Sequence, residues 1–246
     1  MECLIKDGYP NFEFNTPDIT DDGMYKVECS KGHISYNMMQ NEKFEVLFDL
    51  GADALNNGYK YEAVACFKAS LERFYEYFIK LILTKNKVNN DDIKKTWAYV
   101  SSNSERQLGV FYFMYLQEFK EAPEKERRRN VELRNNVIHK GYNPTYEEVF
   151  NYGEDILNYI RNVLEKMSNN YEDYKLNMNF YRQVELREKY RIEDKTFSSG
   201  PLSTIINTAS GDTNHNKMSF SEALEFIKIR EEKFGGVESE CKGINR

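Results

Sequence analysis

A chain of 246 residues with 40% hydrophobic and 30% charged side chains is long enough to bury a sizeable core and has the make-up of an ordinary soluble protein. Its formal charge of -6 argues against a non-specific nucleic-acid coat, because phosphate binding is dominated by Lys and Arg; it leaves room for a local basic site. No stretch approaches the roughly 18 apolar residues of a membrane span, and the opening Met1-Glu2-Cys3-Leu4-Ile5-Lys6-Asp7 lacks the basic flank and apolar run of a signal peptide, so the expected setting is the cytoplasm, with no membrane partner.

Residues 1–40 carry Pro10, Pro17, several Asp and Gly, and alternating runs such as Met24-Tyr25-Lys26-Val27-Glu28-Cys29, a pattern of turns and short strands. From Asn41, a candidate N-cap, the texture becomes helical: Phe44, Leu47, Phe48 and Leu55 recur at helical spacing until Asn56-Asn57-Gly58. The strongest helix spans Lys60 to Lys85, with Val64, Phe67, Leu71, Phe74, Phe78 and Ile82 three or four apart. Further helices are expected near Asp91 to Tyr99 and from a Ser104 cap through Phe111-Tyr112-Phe113-Met114-Tyr115-Leu116. Pro123 suits the first turn of a helix that runs through Val131, Leu133, Val137 and Ile138 to Lys140-Gly141. Thr145 with Glu148 forms a capping box for a helix reaching about Met167. Beyond it lie a polar helix around Tyr171 to Tyr190, a loop at Ser198-Ser199-Gly200-Pro201, and a last helix from the Ser219 and Glu222 capping box to Gly235-Gly236.

These elements give a mainly α protein in three parts: a turn- and strand-rich segment over 1–40, a helical domain over 41–168, and a helical and loop extension over 169–246. The 18 Tyr and 16 Phe are chiefly core, since large rings dominate packing, with some available to line a subunit interface. Cysteines at 3, 29, 66 and 241 are too few and scattered for a disulfide framework.

The chain has three histidines, His33, His139 and His215. His139 closes the run Arg134-Asn135-Asn136-Val137-Ile138-His139. On a helix Arg134 and His139 stand about 140° and 7.5 Å apart, while Asn135 and His139 share a face. A flexible Arg can reach that face, so one helix offers a titrating imidazole, a permanent cation and an amide. Imidazole moves protons near neutral pH, and guanidinium steadies charge on a phosphorane. The competing reading has Arg134 paired with a nearby Glu and His139 merely favoured at a helix C-terminus.

This run, on a helix ending in Gly, preceded by a long amphipathic helix and followed by a capped one, resembles the R-x4-H signature of HEPN domains, helical RNases of toxins, CRISPR effectors and phage-defence proteins. The resemblance implies a HEPN-like helical bundle and a metal-independent endoribonuclease with Arg134, Asn135 and His139 as its catalytic residues. Products would carry 2′,3′-cyclic phosphate and 5′-OH ends. Two protomers would pair so that their motifs line one cleft, making at least a homodimer, and Glu72 would be a candidate acidic partner. Arg128, Arg129 and Lys140, within a cluster that also holds Lys125 and Arg127, would contact RNA; the interleaved Glu124, Glu126 and Glu132 equally suit ordinary helical ion pairing.

Cys29 and His33 in Cys29-Ser30-Lys31-Gly32-His33 resemble half a zinc knuckle, with Cys3 a candidate third ligand and Cys241 or another residue a candidate fourth. Such zinc would be structural; the alternative is a buried Cys29 and a loop His33. This layout resembles, more faintly, the ring-activated zinc-finger RNases of phage defence, which implies a phage structural protein as trigger. Two rivals stand beside the nuclease. One is a non-catalytic HEPN-like module that dimerises or binds a protein, RNA or nucleotide. The other is a tetratricopeptide-like scaffold suggested by Ala54 to Ala63, Phe67 and Leu71, against which stands the absence of a second copy at the 34-residue period.

Overall fold

A computed structural model describes residues 2–9, 20–167, 169–193, 196–208 and 217–235. The chain is mainly α and divides into two compact units, Met1–Asn41 with Glu172–Ser203, and Glu42–Tyr171 with Thr204–Arg246.

The larger unit is built on α2 (Lys43–Asn56), α3 (Lys60–Lys85), α4 (Asn90–Ala98), α5 (Ser104–Phe119), α6 (Arg128–Lys140), α7 (Tyr146–Met167) and α9 (Phe220–Gly235). Helix α3 is central because its apolar residues are not confined to one stripe. Val64, Phe67, Leu71, Phe74, Tyr77, Phe78, Ile79, Leu81 and Ile82 are all buried, and α2, α4, α5, α6 and α7 pack around it. Rings make the joints: Phe48 lies 5.0 Å from Phe67, and Tyr75 lies 4.5 Å from Phe111 of α5, centroid to centroid. Helix α7 comes close to α3 at Gly153, where an added Cβ would sit 2.8 Å from the Phe67 ring and 2.6 Å from that of Phe220.

Two buried carboxylates of α2 bind the chain where it returns to this unit. Glu45 accepts from the Thr208 N–H at 2.7 Å, and Asp49 accepts from the Ile205 N–H at 3.0 Å and Arg230 at 2.6 Å. Burial pushes the Asp49 carboxyl up to about 6 despite the Arg230 guanidinium beside it.

In the smaller unit β1 (Met24–Glu28) pairs antiparallel with β2 (Ile34–Met39), and β2 pairs in parallel with β3 (Thr196–Gly200). One face of this sheet buries Met24, Tyr36 and Met38 against Leu186 of α8 (Glu172–Lys189) and Ile192. A short helix, α1 (Glu2–Asp7), precedes the sheet.

Most expected elements form within a residue or two of their sequence limits. The capping boxes of Thr145 with Glu148 and Ser219 with Glu222 are both made, each with reciprocal backbone and side-chain hydrogen bonds. Several expectations need correction. The stretch 169–246 is not one extension: 172–203 builds the smaller unit with the N-terminal segment, and α9 belongs to the larger. Ser198, Ser199 and Gly200 form β3 rather than a loop, recruited by β2 across more than 150 residues. Residues 1–40 contain α1 besides strands. Asn41 does not cap α2; Glu42 does, while the Asn41 side chain donates to the Leu202 carbonyl at 3.2 Å and accepts from its N–H at 2.5 Å. Asn103, not Ser104, caps α5. Pro123 lies ahead of α6, in a connection anchored by Tyr159 donating to the Glu124 carbonyl and by the Arg127 ion pair to Asp155.

Candidate functional site

Helix α6 carries the whole Arg134 to His139 run and ends at Gly141, whose φ of 66° closes the helix in the left-handed region that glycine tolerates. That stop leaves His139 exposed in the last turn. Gly141 and Tyr142 both donate backbone N–H groups to the Asn136 carbonyl, which fixes the end of the helix beneath the imidazole.

Arg134 is half-buried, and its Nε is buried with no hydrogen-bond partner among the described residues. Its guanidinium makes no ion pair among them within 4.0 Å. Asn135 and His139 have no side-chain hydrogen bond among them either. The neighbouring cations behave differently. Arg128 pairs with Glu132 at 2.7 Å, and Arg127 and Arg129 share Asp155 at 2.7 Å each, with a second Arg129 bond at 3.2 Å. Lys140 donates to the Asn136 side chain at 2.9 Å. Thus the three residues expected to contact RNA, Arg128, Arg129 and Lys140, are each engaged on the protein, but all remain exposed.

Behind Arg134 lies a buried polar group that the sequence pattern hides. The Tyr152 hydroxyl of α7 and Oε1 of Glu126 are buried without hydrogen-bond partners among the described residues. Burial raises Tyr152 well above the ordinary phenol value; the charges of Glu126 and Glu72 act in the same direction and that of Arg134 against it. Arg134, Glu72, Glu126 and Tyr152 therefore share one electrostatic neighbourhood. Lys68 joins it, 3.4 Å from Glu126 and 3.9 Å from Glu72. Tyr152 falls on the apolar stripe of α7 with Val149 and Ile156 and so reads as core in the sequence. Its one legible signal is a hydroxyl at a fully buried position, which needs a partner.

A cleft of about 430 Å³ opens beside the N-terminal half of α6, lined among others by Tyr75, Glu126, Arg127, Asn130, Asp155 and Tyr159. Arg134 and His139 do not line it.

The second group of chemically capable residues is in the smaller unit. Cys3 on α1 and Cys29 and His33 on the β1–β2 turn converge, with their ligand atoms within 4.8 Å of one another. The Cys3 and Cys29 sulfurs are 3.7 Å apart, and Cys3 Sγ lies 3.0 Å from His33 Nδ1. The turn is closed by the Gly32 N–H donating to the Cys29 carbonyl at 2.8 Å and the Cys29 N–H donating to that of His33 at 3.0 Å. Burial raises both thiols; for Cys29 the Lys31 and His33 backbone N–H groups outweigh it and leave the thiol below its ordinary value, whereas Cys3 stays above its own. These three side chains can hold a metal ion. Cys241, considered as a fourth ligand, and His215 lie outside the described residues. Cys66 is far along the sequence on α3, where burial raises its thiol.

No protein-family model matches the chain, and no curated protein or solved structure matches it either. Among the described residues, no helix is long and apolar enough to cross a membrane.

Proposed function

We propose that the chain is a metal-independent, HEPN-type endoribonuclease in which Arg134, Asn135 and His139 of α6 carry the reaction. The observation that carries the proposal is the contrast along one helix: the Arg134 and His139 side chains have no ion pair or hydrogen bond among the described residues, while Arg127, Arg128, Arg129 and Lys140 around them are all engaged. The ordinary role of an Arg in a helix is to pair with an acid, and Arg134 does not take it among the described residues, although its charge and those of Glu72 and Glu126 all act on the buried Tyr152 hydroxyl.

In this reading His139 takes the proton of the ribose 2′-OH as that oxygen attacks phosphorus. The O2′–P bond forms and the P–O5′ bond breaks. The departing 5′ oxygen takes a proton from the second imidazole that a paired protomer supplies, leaving a 2′,3′-cyclic phosphate and a 5′-OH. Arg134 holds the extra negative charge on the phosphorane, and Asn135, one turn before His139, donates to a phosphate oxygen. Arg128, Arg129 and Lys140 guide the RNA backbone by exchanging protein partners for phosphate; for Arg128 the cost is small, because its pair with Glu132 is exposed and such pairs contribute only about 0–1 kcal/mol. A cytotoxic RNase of this kind suits a toxin or a phage-defence effector, with a phage structural protein as its trigger.

The finer reading of the Cys3, Cys29 and His33 cluster is structural zinc. Ligands at about 2.3 Å in a tetrahedron place two sulfurs about 3.8 Å apart, close to the 3.7 Å separating Cys3 and Cys29.

The test is to incubate wild type, Arg134→Ala and His139→Ala with mixed RNA, without added divalent cation, with and without a candidate trigger, and to analyse the new ends. Wild type is expected to yield 2′,3′-cyclic phosphates, and each variant to lose about 10²-fold or more in rate. Equal rates in all three, with folding unchanged, overturn the assignment and favour a non-catalytic binding module.

A further inference from the structure

Helix α8 has two faces. One buries Leu186 in the core of the smaller unit, against Met24, Tyr36, Met38 and Ile192. The other, about 120° round the helix, presents Leu176, Phe180 and Val184, which are 64%, 61% and 37% exposed. These three succeed each other every fourth residue, so their side chains form one continuous apolar ridge. Asp173 stands three residues before Leu176 and Arg187 three residues after Val184, both on the same face. The Asp173 carboxylate is exposed and makes no ion pair among the described residues. The Arg187 guanidinium lies over the Phe197 ring at 5.2 Å.

The order Asp173, Leu176, Phe180, Val184, Arg187 is a palindrome in spacing about Phe180 and antisymmetric in charge. A surface with those two properties is complementary to itself when a copy runs in the opposite direction. Phe180 then meets Phe180, Leu176 meets Val184, and Asp173 meets Arg187 twice, once at each end. A two-fold interface requires this reciprocity, in which one residue contacts another and receives the same contact in return. A parallel copy would instead set Asp173 against Asp173 and Arg187 against Arg187.

We infer that this face of α8 is a homotypic interface, on which a second copy of the chain docks antiparallel about a two-fold axis at Phe180. The inference stands apart from the proposed nuclease: it uses residues of the smaller unit and none of α6. It gives the chain an association surface additional to any pairing of α6 motifs, and two different two-fold contacts on one chain generate assemblies larger than a dimer.

Sedimentation velocity on the full chain tests it. Wild type is expected to self-associate, and Phe180→Asp, which sets two carboxylates against each other on the axis, to weaken association at least tenfold. Asp173→Arg and Arg187→Asp should each weaken it, because each brings like charges together at both ends. An equimolar mixture of these two variants should recover association, since every contact in the mixed pair is again between opposite charges. Recovery also shows that both variants are folded. A wild type that stays monomeric, a Phe180→Asp variant that associates like wild type, or a mixture no better than its components overturns the inference. None of these results depends on RNA cleavage, which is measured separately with Arg134→Ala and His139→Ala.

Discussion

The two units solve the problem of folding in different ways. In the larger, helices separated by short connections wrap α3, and the core is a continuous field of rings in which Phe44, Phe48, Phe67, Phe74, Phe78 and Phe111 are fully buried. In the smaller, the described core is Met24, Tyr36, Met38, Leu186 and Ile192, and its sheet joins strands drawn from opposite ends of the chain. A large aromatic core supports itself through burial. A small one needs further ties, and here they are polar: Arg182 donates to the Asp22 and Asn41 carbonyls at 2.9 and 3.2 Å, and Asp22 accepts from Lys189 at 2.7 Å and Tyr190 at 2.9 Å.

Removing metal probes that difference most strongly. On the zinc reading the cluster of Cys3, Cys29 and His33 ties α1 to the β1–β2 turn, and structural zinc in small domains contributes on the order of 10 kcal/mol. Chelation, or Cys29→Ser, is expected to strip amide protection from β1 and β2 while leaving α3 and α7 protected. Hydrogen exchange followed by mass spectrometry separates the two. Equal protection with and without chelator, in a protein that elemental analysis finds free of zinc, removes the zinc reading and leaves the polar ties to carry the unit.

The converse perturbation strikes the larger unit. Phe67→Ala deletes a ring packed between Phe48, Phe220 and the Gly153 backbone, and should cost about 3–5 kcal/mol, because a cavity among buried rings has little room to collapse. Urea unfolding followed on α3 should register this loss. A change under 1 kcal/mol would mean that the core of this unit is far more plastic than its packing suggests.

The same division governs what the sequence reveals. Helices α3 and α7 are legible because their apolar spacing is local, and the Thr145 and Ser219 boxes mark the starts of α7 and α9 directly. Strand β3 is illegible because Thr196-Phe197-Ser198-Ser199-Gly200 carries weak strand preference and forms only when β2 offers its edge. The candidate site divides similarly. Arg134 and His139 stand on one helix in a spacing that invites notice, and Cys29 and His33 on one turn. The grouping of Lys68, Glu72, Glu126 and Tyr152 behind Arg134 joins α3, the connection before α6, and α7, so no local pattern announces it.

One carboxylate in each unit carries the contrast into pH dependence, with opposite signs. Burial pushes Asp22 up, but Lys189, the Met24 N–H and the Tyr190 hydroxyl outweigh it and hold the carboxyl below its ordinary value. The folded smaller unit thus binds this proton less readily than the unfolded chain does. Asp22 contributes stability above the ordinary carboxylate range, and the contribution is lost as pH falls through it. Asp49 is the reverse: burial lifts it from an ordinary 3.8 to about 6, so the folded larger unit keeps a proton that the unfolded chain has released. Its contribution falls as pH rises from about 4 to about 6, by at most about 3 kcal/mol at about 1.4 kcal/mol per pH unit. Asparagine does not titrate at either position. Asp49→Asn should therefore gain on wild type as pH rises from 4 to 7, while the penalty of Asp22→Asn should stay nearly level over that interval and shrink as pH falls below about 4, by less in total because Asp22 is partly solvated. Urea midpoints of the two variants from about pH 3 to pH 7 give both slopes. Parallel slopes would show that the buried Asp49 carboxylate is as well compensated by Arg230 and the Ile205 N–H as Asp22 is by its three donors, and that the two units differ in packing but not in how they hold charge.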